Sequence, residues 1–329
     1  MMISDKRIVE MSKSVSKYRL MLNKIAPYIN RDKKVFVGTI YGQGGFNWMM
    51  DHVIREYKLQ NVVYFSIGLL PWITRTKAYG EIGINYGSKA VNVVAIEPQT
   101  EFDTLNNGLL DSLCFNYFGK GKFLLSSLFL SLTLSVDNQI IHLSRLYGLF
   151  KTYGGIWSDQ NSVPLFYHDF DDESAIIMQK LDADYTKIRE ALILRYPQKD
   201  FSYMLDYLGL ERLSYSSSNL DIKESFISSS TLGQIPTPTI RNNKGSYIFD
   251  RNHRFFTDDL YYGLVIAKWF AINLSLYTPM LDEIIQWAQN FIGDEVLTGN
   301  ELVFPTNNTD YKSGNPDVYK FDCFDDYIS

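Results

Sequence analysis

The chain is poor in the residues that build covalent or metal-based frameworks. Its 329 residues include two cysteines, Cys114 and Cys323, far apart in sequence and in no metal-type spacing. That argues against a disulfide framework and fits a cytoplasmic setting. The four histidines, His52, His142, His168 and His253, show no ligand spacing with one another, so no metal site is expected. The longest apolar run, roughly Phe123 to Leu134, carries serines and is shorter than the ~18 residues a membrane span requires. Residues 1–7 contain no apolar stretch of the kind a secretory leader needs. The sequons at Asn273 and Asn307 are therefore read as chance occurrences. Net charge is −5 and no cluster of Lys and Arg stands out, which excludes an electrostatic footprint for nucleic acid or an anionic membrane. Also missing are a G-x-G-x-x-G fingerprint and a P-loop.

What is present describes a globular protein long enough for two domains, with 46% hydrophobic residues and a core supplied by abundant Tyr and Phe. The first third alternates helical and strand patterns. Val15–Ile29 carries a helical apolar stripe, Val35-Phe36-Val37 is strand-like, and Gly42-Gln43-Gly44-Gly45 is a turn. Phe46–Tyr57 is helical, and Asn61–Ile67 and Ala90–Ile96 are further strands. This alternation predicts a parallel or mixed sheet with helices on its faces. From about residue 120 the pattern becomes helical. Helices are expected over Leu124–Phe150, Asp171–Arg195, Leu260–Leu274 with Thr257 as its cap, and Met280–Ile292 after a cap at Thr278 and a proline at the first position. Ser214–Ser246 reads as loops, and the polar tail after Thr298 as surface. The expected organisation is a partial Rossmann-like α/β domain over residues 1–120 and an all-helical domain over 121–329.

Two clusters carry candidate chemistry. Asn138 and His142 are four residues apart on a helical pattern and share a face. Such a pair can hold a carbonyl oxygen and move a proton near neutral pH, and it is equally compatible with a packed histidine. In Arg254-Phe255-Phe256-Thr257-Asp258-Asp259, a guanidinium stands at a helix start, placed to bind a carboxylate. Asp259 follows one turn on, where it can orient a histidine or simply stabilise the helix start. The turn Gly42, Gly44 and Gly45 would let backbone N–H groups approach a ligand closely, which marks these glycines as cofactor-binding candidates.

Together these segments resemble the octopine/nopaline (opine) dehydrogenase family. The most specific match is Asn252-His253-Arg254-Phe255-Phe256-Thr257-Asp258-Asp259-Leu260-Tyr261-Tyr262-Gly263-Leu264, followed by Tyr277-Thr278-Pro279-Met280-Leu281-Asp282. Asn138-Gln139-Ile140-Ile141-His142 fits the family's N-x-x-x-H, and Gly42-Gln43-Gly44-Gly45-Phe46 resembles the glycine loop in the second half of its nucleotide domain. The resemblance runs from about residue 15 to about 295. Where the family usually has proline after the histidine, Leu143 stands here. The family's opening strand, glycine-rich turn and helix, roughly its first 70 residues, have no counterpart, so the chain is expected to begin near the helix at Val15.

The resemblance implies an NAD(P)H-dependent oxidoreductase that condenses an amino acid with a 2-oxo acid and reduces the imine, acting as a monomer or homodimer. It implies His142, Asn138 and Asp259 as catalytic residues and Arg254 as the carboxylate ligand. In the crevice it implies, Gln43 and Arg75 are looser substrate-binding candidates as loop residues after strands, Arg75 fitting a surface salt bridge as well. Two rival readings share the layout. One is a non-catalytic remnant serving as an interaction or dimerisation module. The other is a 2-hydroxy acid or polyol-phosphate dehydrogenase.

Overall fold

The computed structural model describes residues 7–11, 14–78, 80–113, 115–116, 119–135, 137–229, 232–233, 235–303 and 314–329. A five-stranded mixed sheet forms the first layer. Its order is β1 (Arg7–Met11), β2 (Val35–Thr39), β3 (Val62–Ile67), the strand Val91–Glu97 and the strand Lys122–Ser126. The first three are mutually parallel, the fourth runs antiparallel to β3, and the fifth lies parallel to the fourth. The carboxyl ends of β2 and β3 therefore lie beside the start of the fourth strand.

Period-two alternation sorts the sheet's side chains. Val35, Val37, Tyr64, Val93 and Ala95 join a large core shared with the helical part of the molecule. Phe36, Val63, Phe65, Ile67, Val94 and Ile96 face the other way, against Leu105 and Leu110. The helix Phe46–Tyr57 covers the inner face, as its apolar spacing predicts. The helices Asp172–Arg195 and Pro279–Ile292 also form where the sequence places them, the first capped by Asp171 and the second closed by Gly293 in the left-handed conformation.

Several elements differ from expectation, each for a tertiary reason. A strand, Arg7–Met11, precedes the Val15 segment and pairs with β2. Trp72–Ala78 and Ile82–Ser88 form an antiparallel hairpin that the sequence pattern did not reveal. Lys122–Ser126 is a strand rather than the start of a helix, because it adds to the sheet edge, and the helices Phe129–Leu134 and Asn138–Tyr153 follow. Within Ser214–Ser246, a short helix, Ile222–Ile227, is capped by Asp221, and Thr239–Arg241 pairs with Tyr247–Phe249. Thr278 makes no side-chain cap. Asp184 of the neighbouring helix instead accepts from the N–H groups of Met280 (2.8 Å) and Leu281 (3.1 Å). The end of the chain is packed rather than superficial. Tyr319, Tyr327 and Ile328 are buried, and the Leu130 N–H donates to the Ser329 carbonyl at 2.8 Å.

Candidate active site

The motif around Arg254 folds differently from its sequence reading. His253, not Thr257, is the cap: its Nδ1 accepts from the Phe255 N–H. Arg254 is thus the first helical residue, on a short turn Arg254–Thr257. The chain then widens into a π-helical turn, Leu260–Leu264, before the helix Val265–Asn273. Widened turns of this kind often accompany functional sites. Here the turn meets the Asn138–Tyr153 helix at Gly263, where a Cβ would lie 2.2 Å from Gln139 Cβ. Glycine is required for that approach.

The approach brings Asp259 to His142. Asp259 Oδ2 lies 2.7 Å from His142 Nδ1, and both residues are buried. The other ring nitrogen, Nε2, is 3.1 Å from the Tyr167 hydroxyl. The imidazole stacks on Phe255 with ring centroids 3.6 Å apart, and Phe166 meets it edge-on. Burial lowers the imidazole's proton affinity well below its ordinary value, helped by the Arg254 cation. Burial also raises the Asp259 carboxyl well above its ordinary value. Both directions have one cause: a dry site favours the net-neutral pair sharing one proton over a lone charge on either partner.

The neighbouring acid has a separate task. Asp258 accepts hydrogen bonds from the Ser14 hydroxyl (2.6 Å) and from the N–H groups of Val15 (3.1 Å) and Ser16 (3.4 Å). It ties the segment after β1 to the helical part of the molecule.

In front of the dyad lies a cleft of about 510 Å³. Tyr41 and Leu69, which follow β2 and β3, line it, with Lys89 from the turn before the fourth strand. Asp137, Asn138, Tyr167 and Arg254 line it as well. Arg254 is exposed and lies over the Phe255 ring, while Lys89 is buried and donates to the Leu70 carbonyl at 2.5 Å. Asp137 is pushed up to about 6 by burial, against the opposing pull of Lys89 and Arg254.

Thus four sequence candidates, Asn138, His142, Arg254 and Asp259, converge. Asn138 donates its amide to the Tyr41 hydroxyl at 2.9 Å, and that hydroxyl donates to Gln43 Oε1 at 3.0 Å. Gln43 is buried behind Tyr41 and supports the wall instead of forming it. Arg75 lies within the strand Trp72–Ala78, not in a loop, and its side chain falls outside the described residues. Tyr41, Lys89, Asp137 and Tyr167 were missed by the sequence reading. Asp137 directly precedes the Asn138–His142 motif and Tyr41 the glycine turn, so adjacency offered a signal for both. For Lys89 and Tyr167 no local pattern existed.

A model of the NAD/NADP octopine/nopaline dehydrogenase alpha-helical domain family matches residues 126–292, half of the chain. The chain belongs to that family. It is an oxidoreductase of the opine dehydrogenase type, using NAD or NADP. It is 24% identical over 288 residues to the opine dehydrogenase of Haliotis discus hannai, covering 85% of this chain and 68% of that one. It is 25% identical over 287 residues to the octopine dehydrogenase of Mizuhopecten yessoensis, covering 84% and 69%. An octopine dehydrogenase structure in complex with NADH and agmatine superposes with a TM-score of 0.77 at 20% identity, over 98% of this chain and 77% of that one. That likeness supports the same fold: a Rossmann-like sheet joined to a helical domain.

The family's cofactor can be compared with the residues present. The crevice at the carboxyl ends of β2 and β3, with the Tyr41 ring and Leu69 on its wall, suits the flat reactive end of a nicotinamide. At the glycine turn the protein itself packs closely. Gly42, Gly44 and Gly45 are buried, and added Cβ atoms would lie 2.0 Å from Ser66 Cβ, 2.6 Å from Val15 Cγ1 and 2.0 Å from Trp48 Cε3. The Gly42 N–H already donates to the Ile67 carbonyl at 2.7 Å and the Gly45 N–H to Thr133 Oγ1 at 3.3 Å. These glycines serve tight packing between β2 and the helix Phe46–Tyr57. Among the described residues no helix is long and apolar enough to cross a membrane.

Proposed function

We propose that this opine dehydrogenase family member reductively condenses an amino acid with a 2-oxo acid, in a cytoplasmic setting and without nucleic-acid or membrane partners. The observation that carries the reading is the buried His142–Asp259 pair behind a cleft that holds two cations, Arg254 and Lys89. Two substrates that each bring a carboxylate match two cations better than a single hydroxy acid does. The relatives' names, opine and octopine dehydrogenase, agree with it.

The bound nicotinamide supplies the hydride. The chain's own residues bind substrates and move protons. Arg254 holds the oxo acid's carboxylate, and Lys89 adds positive potential to the same cleft. An amino acid must lose a proton from its ammonium before its nitrogen can attack. Asp137, near 6 and on the cleft wall, is placed to take that proton. The His142–Asp259 pair provides the proton that the substrate heteroatom gains on reduction. Asp259 then compensates whatever charge the imidazole carries.

The test is consumption of NADH or NADPH by the purified chain with paired amino acids and 2-oxo acids. Turnover that requires both substrates supports the reading. Turnover with an oxo acid alone would assign a hydroxy acid dehydrogenase instead. A chain that binds cofactor and turns over neither would favour the non-catalytic module.

A further inference from the structure

We infer that His142 does not meet the substrate directly and that Tyr167 is the residue that exchanges the proton with it. The arrangement of the imidazole leads to this. Nδ1 faces Asp259 at 2.7 Å and Nε2 faces the Tyr167 hydroxyl at 3.1 Å. One ring face is covered by Phe255 and the edge by Phe166. His142 itself is 1% exposed, whereas Tyr167 lines the cleft. The hydroxyl therefore stands between the nitrogen that titrates and the space a substrate enters.

A tyrosine hydroxyl suits this position because it donates one hydrogen and accepts others. When the imidazole is neutral with its hydrogen on Nδ1, the Tyr167 O–H donates to Nε2. When the imidazole is protonated, Nε2–H donates to the Tyr167 oxygen and the phenolic hydrogen turns toward the cleft. In the reductive direction the Nε2 proton passes to the Tyr167 oxygen as the Tyr167 proton passes to the substrate heteroatom. The N–H bond of His142 and the O–H bond of Tyr167 break. A new O–H forms on Tyr167 and a new bond to hydrogen forms on the substrate. Tyr167 begins and ends as a neutral phenol, and the His142–Asp259 pair has given up one proton. Oxidation runs the same transfers backwards. The direction of transfer rests on the dehydrogenase reading above. The Tyr167–His142 contact does not.

The test is Tyr167→Phe, which keeps the ring and its packing against Phe226 and removes only the hydroxyl. Its kcat should fall by about a hundredfold, within the usual span for a lost proton-transfer group, with little change in KM. In mixed H2O and D2O, the native enzyme should show a curved dependence of rate on deuterium content, from two protons in flight. The variant should show a linear one. A variant with native kcat and the native curve overturns the relay. A second measurement needs no turnover: nitrogen NMR of 15N-histidine-labelled chain. Loss of the hydroxyl should move the His142 Nε2 resonance and shift its titration. An unchanged resonance overturns the relay even if no substrate pair is found. A chain inactive in both forms with a moved resonance would instead count against the dehydrogenase reading while keeping the contact.

Discussion

Asp259 reaches His142 across 117 residues of sequence, its Oδ2 2.7 Å from the imidazole Nδ1. The contact joins two helices that the single glycine at position 263 allows to pack closely. Breaking the pair should cost much more in turnover than in folding. Asp259→Asn retains size and one hydrogen bond but cannot balance an imidazolium. Its reductive kcat is expected to drop by roughly 10²–10⁴-fold, and His142→Ala should abolish turnover. Steady-state NAD(P)H oxidation checks both, and a near-native rate in His142→Ala would remove it from the mechanism.

Arg254 is exposed at its helix start, so its removal leaves little buried charge behind. Arg254→Leu should change stability by no more than about 0.5 kcal/mol, as for most surface substitutions. The KM for the 2-oxo acid should rise sharply. Thermal denaturation and substrate saturation curves, measured on the same preparation, separate the two effects.

Asp137 gives a pH-dependent prediction. Its carboxyl is raised from the ordinary 3.8 to about 6 by burial, so the folded state binds its proton more tightly than the unfolded state. The stability this brings is present in full below pH 4 and is lost as pH rises through about 6. Above that, the carboxylate costs the fold up to about 3 kcal/mol, less whatever water at the open side of the cleft screens. Asp137→Asn should therefore be more stable than the native chain at pH 8 and similar at pH 4, and slower in condensing substrates. Urea melts at the two pH values test the sign.

Asp258 bridges the sheet layer and the helical layer through Ser14, Val15 and Ser16. Asp258→Ala leaves those N–H groups without their acceptor and should destabilise by about 2–3 kcal/mol, in the range for hydrogen bonds to a charged group. A drop in urea midpoint with an unchanged denaturant slope would show a loss of stability alone.

Gly263→Ala places a methyl group against Gln139 Cβ, between two backbones that cannot yield cheaply. A loss of about 1–3 kcal/mol is expected for such overpacking, together with a lower kcat as His142 and Asp259 separate. An unaltered melting temperature would mean that the helices can part without cost.

Much of this protein was legible in sequence because local periodicity dictates local structure. The helix Phe46–Tyr57 and the helix Asp172–Arg195 follow from apolar spacing and, for the second, an aspartate cap. The strands Val35–Thr39 and Val62–Ile67 follow from short β-branched runs buried on both faces. The Asn138–His142 spacing and the run Arg254 to Asp259 identified the catalytic candidates before any fold was known. The tertiary structure decided what those residues do. Lys122–Ser126 became a strand because a sheet edge was there to pair with. Gly42, Gly44 and Gly45 read in sequence as a turn whose backbone could approach a cofactor closely, yet Ser66, Val15 and Trp48 pack beside them. Of two adjacent aspartates, Asp258 was turned to a structural bond and Asp259 to the histidine. Tyr167 and Lys89 entered the cleft with no motif around them. Periodicity records which face of an element is buried, but not which residue of a distant element will stand opposite. That is set only when the chain packs.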